Sequence, residues 1–301
     1  MMKIAVTTSS FGKYDKKPLR LLEDRGIEVL LNSYGRKLKK EEAIEICKDA
    51  TGIIAGTETL DRDVMMQLKK VRVISRCGVG LDSLDLNAAK ELDIKVFNTP
   101  DGPTIAVAEL TIGLILNLLR KISLMDFGLK TSGTWKKLMG NLLAGKNIGI
   151  VGFGRIGRKV AELLKALGCI IRYADPFLED GIMGFKQASL DDLLSWSDIV
   201  LIHVSSGKEI IGKKEIELMK QGSYLLNISR GGVVNEDVLY NALASGQLSG
   251  AALDVFKEEP YKGPLKKLDN VILTPHIGSY AIEARVEMEK QAVENLLKGL
   301  G

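Results

Sequence analysis

The sequence predicts an α/β protein built from two open parallel-sheet domains, and three observations lead there. Short apolar runs alternate with longer amphipathic ones from the N-terminus to about residue 98, the pattern left by strand-helix-strand units. A cluster of breakers, Asn98-Thr99-Pro100-Asp101-Gly102-Pro103, then interrupts the alternation and reads as a domain boundary. Beyond it the alternation resumes around a glycine-rich stretch, Gly152-Phe153-Gly154-Arg155-Ile156-Gly157. At 301 residues the chain is long enough for two separate cores.

In the first half, strands are expected at 4–7, 29–31, 52–55, 71–75 and 95–97, with helices at 17–25, 40–49, 61–68 and 85–92 between them. After the breaker cluster comes a long apolar helix, 104–119. Its Glu109, Thr111 and Asn117, and an apolar run of only 105–119, make it too short for a bilayer and mark it as a buried helix. The strand at 148–151 leads into the glycines, a helix follows over 158–167, and a second strand over 169–174. Further strands are expected at 199–204, 224–228, 251–255 and 271–273, with helices at 190–195, 213–220 and 235–245. The last helix, 280–297, lies beyond the final strand and is expected to return to the first domain. That gives a discontinuous substrate-binding domain (1–98 with 277–301) and a dinucleotide-binding domain (99–276), with the cleft between them as the site.

The strand-turn-helix context gives the glycine pattern its meaning. Gly152 lets the chain turn, Gly154 lets backbone N–H groups approach a pyrophosphate, and Gly157 lets the helix pack closely on the strand. Arg155 and Ile156 lie within the same turn. Asp175 ends the second strand, 18 residues past the last glycine, where a carboxylate accepts hydrogen bonds from the ribose hydroxyls of an adenosine and repels a 2′-phosphate. No Arg or Lys occurs in 176–180. The expected cofactor is therefore NAD rather than NADP.

Composition narrows the partners. The 46% apolar and 27% charged residues are those of a globular protein. A net charge of +4 from 42 basic and 38 acidic residues gives no case for nucleic acid. The opening Met1-Met2-Lys3-Ile4-Ala5-Val6 runs into polar Thr7-Thr8-Ser9-Ser10, so a strand is expected there and not a signal peptide. Cys47, Cys77 and Cys169 form no C-x-x-C pair, which suggests a cytoplasmic location. No metal-ligand cluster is apparent.

In open parallel sheets ligands bind past the carboxyl ends of strands. Arg230, Glu259 and His276 occupy such places. Each alone is as well read as a structural or solvated residue, but together they make a set for hydride transfer. His276 takes or returns a hydroxyl proton, Glu259 fixes the imidazole tautomer, and Arg230 offers a planar donor fork to a carboxylate or to a carbonyl oxygen gaining charge. The chain has only two histidines; His203, at an earlier strand end, is expected to be structural or near the adenine side.

These residues carry a resemblance. Gly152 to Gly157, Ser229-Arg230-Gly231-Gly232-Val233-Val234-Asn235, Gly250-Ala251-Ala252-Leu253-Asp254-Val255-Phe256, Glu259-Pro260 and Leu273-Thr274-Pro275-His276-Ile277-Gly278 resemble the signatures of the D-isomer-specific 2-hydroxyacid dehydrogenases. Arg76-Cys77-Gly78-Val79-Gly80-Leu81-Asp82 and Val107-Ala108-Glu109-Leu110-Thr111 extend the similarity over nearly the whole chain. The resemblance implies a flavodoxin-like substrate domain, a Rossmann dinucleotide domain and a homodimer formed through the latter. It implies that Arg230, Glu259 and His276 are catalytic and that Asp254 contacts the cofactor. It also implies that the substrate carboxylate is held at Arg76, Cys77, Gly78, Val79 and Gly80.

Within the family, Thr7 to Lys13, Tyr34-Gly35-Arg36 and Gly56-Thr57-Glu58 most resemble phosphoglycerate dehydrogenase-like members. Lys13, Arg36 and Arg76 are then candidates for a substrate phosphate. Serine feedback through a domain beyond Gly301 is not expected. The loop after His203, Val204-Ser205-Ser206-Gly207-Lys208, is about three residues shorter than the family pattern, and Asp101, Pro103 and Tyr280 also depart from it. The expected substrate pair is 3-phosphoglycerate and 3-phosphohydroxypyruvate. The alternatives are a glyoxylate or hydroxypyruvate reductase, or a non-catalytic NAD-sensing binding protein.

Overall fold

Strands buried on both faces read as continuous apolar runs, and the computed structural model, which describes residues 1–301, forms its strands where those runs lie. The first sheet is made of β1 (Lys3–Val6), β2 (Glu28–Leu31), β3 (Gly52–Ala55), β4 (Val73–Arg76) and β5 (Lys95–Asn98), joined by α1 (Lys17–Glu23), α2 (Lys40–Cys47), α3 (Arg62–Met65) and α4 (Leu86–Glu91). Then follow α5 (Gly102–Arg120) and α6 (Ile122–Ser132). The second sheet takes β6 (Asn147–Val151), β7 (Ile170–Ala174), β8 (Lys186–Gln187), β9 (Ile199–Ile202), β10 (Ser223–Asn227), β11 (Leu248–Leu253) and β12 (Val271–Leu273). Its helices are α7 (Arg155–Ala166), α8 (Leu190–Trp196), α9 (Lys213–Leu218) and α10 (Glu236–Ala244), and the chain closes with α11 (Ile282–Leu300). Two compact units result, Met1–Pro103 with Ser279–Gly301, and Thr104–Gly278.

In the first unit all strand pairs are parallel, in the order β2-β1-β3-β4-β5. Side chains alternate between two cores, as a period of two requires. Ile4, Val6, Ile54 and Val73 pack with α11 through Met288, Ala292, Val293 and Leu296; Ala5, Ile53, Ala55 and Ile74 face Ala43, Val64 and Ala88 of α2, α3 and α4. Asp61 and Asp85 cap α3 and α4 by accepting the Val64 and Ala88 N–H groups. Close packing of α11 uses glycine: a Cβ on Gly52 would stand 2.9 Å from Leu296 Cδ1.

The second unit holds a parallel sheet in the order β12-β11-β10-β9-β6-β7-β8, whose direction of growth reverses between β6 and β9. Helix α5 runs to 19 residues, longer than the expected run, and is by length and composition able to cross a membrane. Its Val107, Ala108, Leu114, Ile115, Leu118 and Leu119 instead fill the core beneath β6 and α7 with Ile148, Ile150 and Val160. The opposite face packs α8, α9 and α10 on Val200, Ile202, Leu225 and Leu253. Helix α6 has no counterpart in the sequence reading. It starts after Lys121, whose φ is +54°, and buries no residue within the chain, its apolar Ile122, Phe127 and Leu129 being exposed.

Candidate active site

The reversal between β6 and β9 opens a cavity of about 910 Å³ lined by Gly152, Gly154, Asp175, His203, Ser205 and Ser206. Gly152 has φ +88°, and a Cβ there would stand 2.6 Å from His203 O, so the turn requires glycine. A Cβ on Gly157 would lie 2.3 Å from Gly152 O, whereas Gly154 has no neighbour within 4 Å. Gly154 is the N-cap of α7; it has no side-chain cap, and the first turn holds no acidic residue. The helix N–H groups therefore face open space with the dipole's positive end unopposed, which suits a pyrophosphate.

Asp175, just past β7, accepts the Phe153 N–H at 2.8 Å on one oxygen and the Phe177 N–H at 3.0 Å on the other. This fixes the carboxylate at the cavity wall with lone pairs remaining for ribose hydroxyls. His203, just past β9, is buried with both ring nitrogens unpartnered, and burial pushes it down to about 4. Unsatisfied polar atoms against this cavity, together with the glycine turn and the fixed carboxylate, fit a dinucleotide.

Arg230, Glu259 and His276 stand on the loops that leave β10, β11 and β12. Glu259 Oε2 lies 3.0 Å from His276 Nδ1, and Glu259 Oε1 accepts the Phe256 N–H at 3.1 Å. Phe256 also braces the arginine loop: a Cβ on Gly231 would fall 1.8 Å from Phe256 O. Asn227 donates from Nδ2 to Arg230 O at 3.0 Å and accepts from the Ser229 N–H and hydroxyl, while Arg230 Nη1 donates to Ser229 O at 2.9 Å. The imidazole side chain is 56% exposed. Its Nδ1 is tied to a carboxylate and its Nε2 has no partner in the chain, the disposition of a general acid-base group.

Asp254, the residue expected to contact the cofactor, also ties down the turn that follows β12. Its side chain is fully buried, and it accepts from Thr274 Oγ1 at 2.6 Å, the Ile277 N–H at 2.8 Å and the Gly278 N–H at 2.8 Å. It thus holds the turn on which His276 sits, at a φ of +54° that a non-glycine residue keeps only when its surroundings impose it.

The turn past β4 differs from expectation. The Cys77 N–H donates to Ala55 O, and the Gly78 N–H to Arg76 O and Thr99 Oγ1, so neither is open to a carboxylate. The Val79 and Gly80 N–H groups have no acceptor within the chain. Arg76 donates to Cys77 O and lies over Gly78, bracing the turn, and Asn98 Nδ2 donates to Val79 O. Burial pushes the Cys77 thiol up to about 11, so it is not a nucleophile. The sequence gives no site role to Asn227, Thr274, Asn98 or Thr99; a small polar residue at a strand end opposite a functional loop is the signal that points to them.

A dinucleotide turn at a sheet reversal, with an arginine, a glutamate and a histidine on neighbouring strand ends, places the chain in the class of dinucleotide-binding α/β proteins. Residues 112–278 match the model of the D-isomer specific 2-hydroxyacid dehydrogenase NAD binding domain. The D-3-phosphoglycerate dehydrogenase of Archaeoglobus fulgidus is 39% identical over 93% of this chain and 55% of its own length. The hydroxypyruvate reductase of Thermotoga maritima is 37% identical over 95% of this chain and 96% of its own. The crystal structure of the TT0316 protein from Thermus thermophilus superposes with a TM-score of 0.90 at 35% identity, covering 99% of this chain and 97% of that one. The chain belongs to the D-isomer specific 2-hydroxyacid dehydrogenase family and carries its NAD-binding domain. It spans little more than half the length of the phosphoglycerate dehydrogenases it matches first.

Proposed function

We propose that the protein is an NAD-dependent oxidoreductase acting on a D-2-hydroxy acid and its 2-keto acid, with 3-phosphoglycerate and 3-phosphohydroxypyruvate as the substrate pair. The observation that carries this reading is the 3.0 Å contact between Glu259 and His276 Nδ1, which leaves Nε2 to face a reacting hydroxyl. When bound, the nicotinamide supplies or accepts the hydride. His276 Nε2 takes the hydroxyl proton on oxidation and returns it on reduction, while Glu259 keeps the other ring proton on Nδ1. Arg230 donates to the substrate carboxylate or to the carbonyl oxygen as its charge grows. The Val79 and Gly80 N–H groups hold the carboxylate. Gly152, Gly154, Arg155, Ile156 and Gly157 hold the pyrophosphate and Asp175 the adenosine ribose.

The protein acts as a homodimer through its larger unit. Supporting this, Ile122, Phe127 and Leu129 of α6, and Trp135, Met139 and Leu142 beyond it, are all exposed, a run of apolar side chains that a partner surface would cover. A reducing cytoplasm suits three free, buried cysteines.

A second reading, a reductase of unphosphorylated keto acids, is favoured by the residues expected to hold phosphate. Arg36 is already engaged by both Glu42 oxygens, at 2.8 and 2.6 Å, and the Lys13 ammonium stands 5.6 Å from the Tyr14 ring centre. NADH absorbance with 3-phosphohydroxypyruvate, hydroxypyruvate, glyoxylate and pyruvate separates the readings by which acid is consumed fastest. The same assay on His276→Ala is expected to show no turnover with NADH binding intact; retained turnover sinks the assigned role.

A further inference from the structure

At the carboxyl edge of the five-stranded sheet stands a set of charged side chains that the proposed reaction has not used. The sheet order reverses between β1 and β3, the place where open parallel sheets take ligands. Thr8 lies two residues past β1, and its hydroxyl accepts from Arg285 Nη2. Arg285 Nε donates to Glu289 Oε1 at 3.0 Å, and Glu289 Oε2 accepts the Gly12 N–H at 2.9 Å. Glu289 is 1% exposed and the Arg285 side chain 19%. Across the reversal, past β3, buried Glu58 accepts the Gly56 N–H at 3.0 Å and the Thr7 hydroxyl.

A tie between α11 and the loop after β1 does not need an ion pair, since apolar packing serves as well where a buried carboxylate is costly. Burial indeed pushes Glu289 up from its ordinary value, against the Gly12 N–H and Arg285, which draw it down. What the pair adds is direction. Nε and Nη2 of the guanidinium are both fixed, Nη1 has no acceptor in the chain, and part of the group reaches solvent. The neighbouring feature at this edge is the turn past β4, whose Cys77 is buried in one core cluster with Met288 of α11, about one helical turn on from Arg285. The first turns of α11, which carry Arg285, thus border the turn whose Val79 and Gly80 N–H groups are assigned the substrate carboxylate.

We propose that Arg285 is a specificity residue that donates a hydrogen bond to an oxygen on C3 of the substrate, with Glu289 and Thr8 as its positioning residues. The inference rests on the hydride-transfer reading above. A C3 hydroxyl and a C3 phosphate ester both present such an oxygen, and the planar donor fork accommodates either. A C3 methyl group leaves the donor unpaired and desolvated, which is how a polar site rejects the analogue that lacks its partner.

The test compares kcat and KM for hydroxypyruvate, 3-phosphohydroxypyruvate and pyruvate in the unmodified chain, Arg285→Gln, Arg285→Lys and Glu289→Gln. Arg285→Gln is expected to lower kcat/KM about tenfold to a hundredfold for the acids carrying a C3 oxygen, chiefly through KM, and to leave pyruvate within about twofold. Arg285→Lys recovers part of that loss, and Glu289→Gln shifts KM in the same direction by less. A larger loss for the phosphorylated acid identifies phosphate as the C3 group; equal losses for both C3-oxygen acids identify the bridging or hydroxyl oxygen. Should Arg285→Gln not fold, Arg285→Lys carries the same comparison. Equal loss for all three acids, or none, overturns the inference and leaves Arg285 as a clip between α11 and β1. If the unmodified chain oxidises NADH with none of the acids, the hydride-transfer reading falls and takes this one with it, an outcome distinct from an unmodified chain that turns over and a variant that keeps its preferences.

Discussion

His203 gives the fold a dependence on pH that can be worked out in sign and size. Both ring nitrogens are buried without partners, and burial holds the imidazole down at about 4, whereas in the unfolded chain it protonates near 6.5. Between those values the unfolded state binds more protons, so stability is complete above about pH 6.5 and falls as pH drops through the window. At 1.36 kcal/mol per pH unit the whole window is worth about 3 kcal/mol, and the stretch from 6.5 to 5 about 2 kcal/mol. Glu289 works in the opposite sense. Burial raises it, so the folded state keeps its proton to higher pH and its contribution is lost as pH rises; being common to both proteins, it cancels in a comparison. Urea unfolding of the unmodified chain and of His203→Gln, without cofactor, at pH 7.5, 6 and 5 isolates the histidine. The unmodified chain is expected to lose about 2 kcal/mol more than the variant on going from pH 7.5 to 5, whatever the offset between them at pH 7.5. Parallel curves would refute the reasoning, because they would mean the ring is hydrated or paired in solution.

Three other outcomes follow from the packing of the site. Asp254→Asn leaves one of three buried donors without an acceptor, so unfolding free energy should fall by about 1–3 kcal/mol in urea, and kcat by about a hundredfold as His276 loses its support, with NADH affinity measured by fluorescence nearly unchanged. Gly231→Ala puts a Cβ 1.8 Å from Phe256 O, so the arginine loop must move; turnover is expected to vanish and the melting temperature to drop, and full activity would show that the loop yields freely. Phe127→Glu with Leu129→Glu, both exposed on α6, should convert a dimer to a monomer by light scattering, and an unchanged mass would remove that face as the interface.

How far the sequence could be read depended on whether a residue's partners are local. Strands buried on both faces announce themselves as apolar runs, and the bounds read for Gly52–Ala55 and Val271–Leu273 are the observed ones. Helix α7 begins three residues before the expected 158, because the last glycine of the motif lies inside the first turn; packing on Gly152 O outweighs the low helix propensity of Gly157. Helix α6 stayed unread because it buries none of its residues within the chain. That Arg230, Glu259 and His276 stand past strand ends was legible because those ends can be counted from the apolar runs. Asp254 stands at a strand end as well, yet its three donors come from 20 to 24 residues onward, and no periodicity marks them. The same holds for the Gly78 N–H, taken by Thr99, and most of all for Arg285, whose anchor at Thr8 lies 277 residues away. Periodic patterns report which face of an element meets the core, whereas a polar network is specified by pairs of distant residues. The polar side chains that hold these strand-end loops in place are therefore the ones that only the folded chain brings into view.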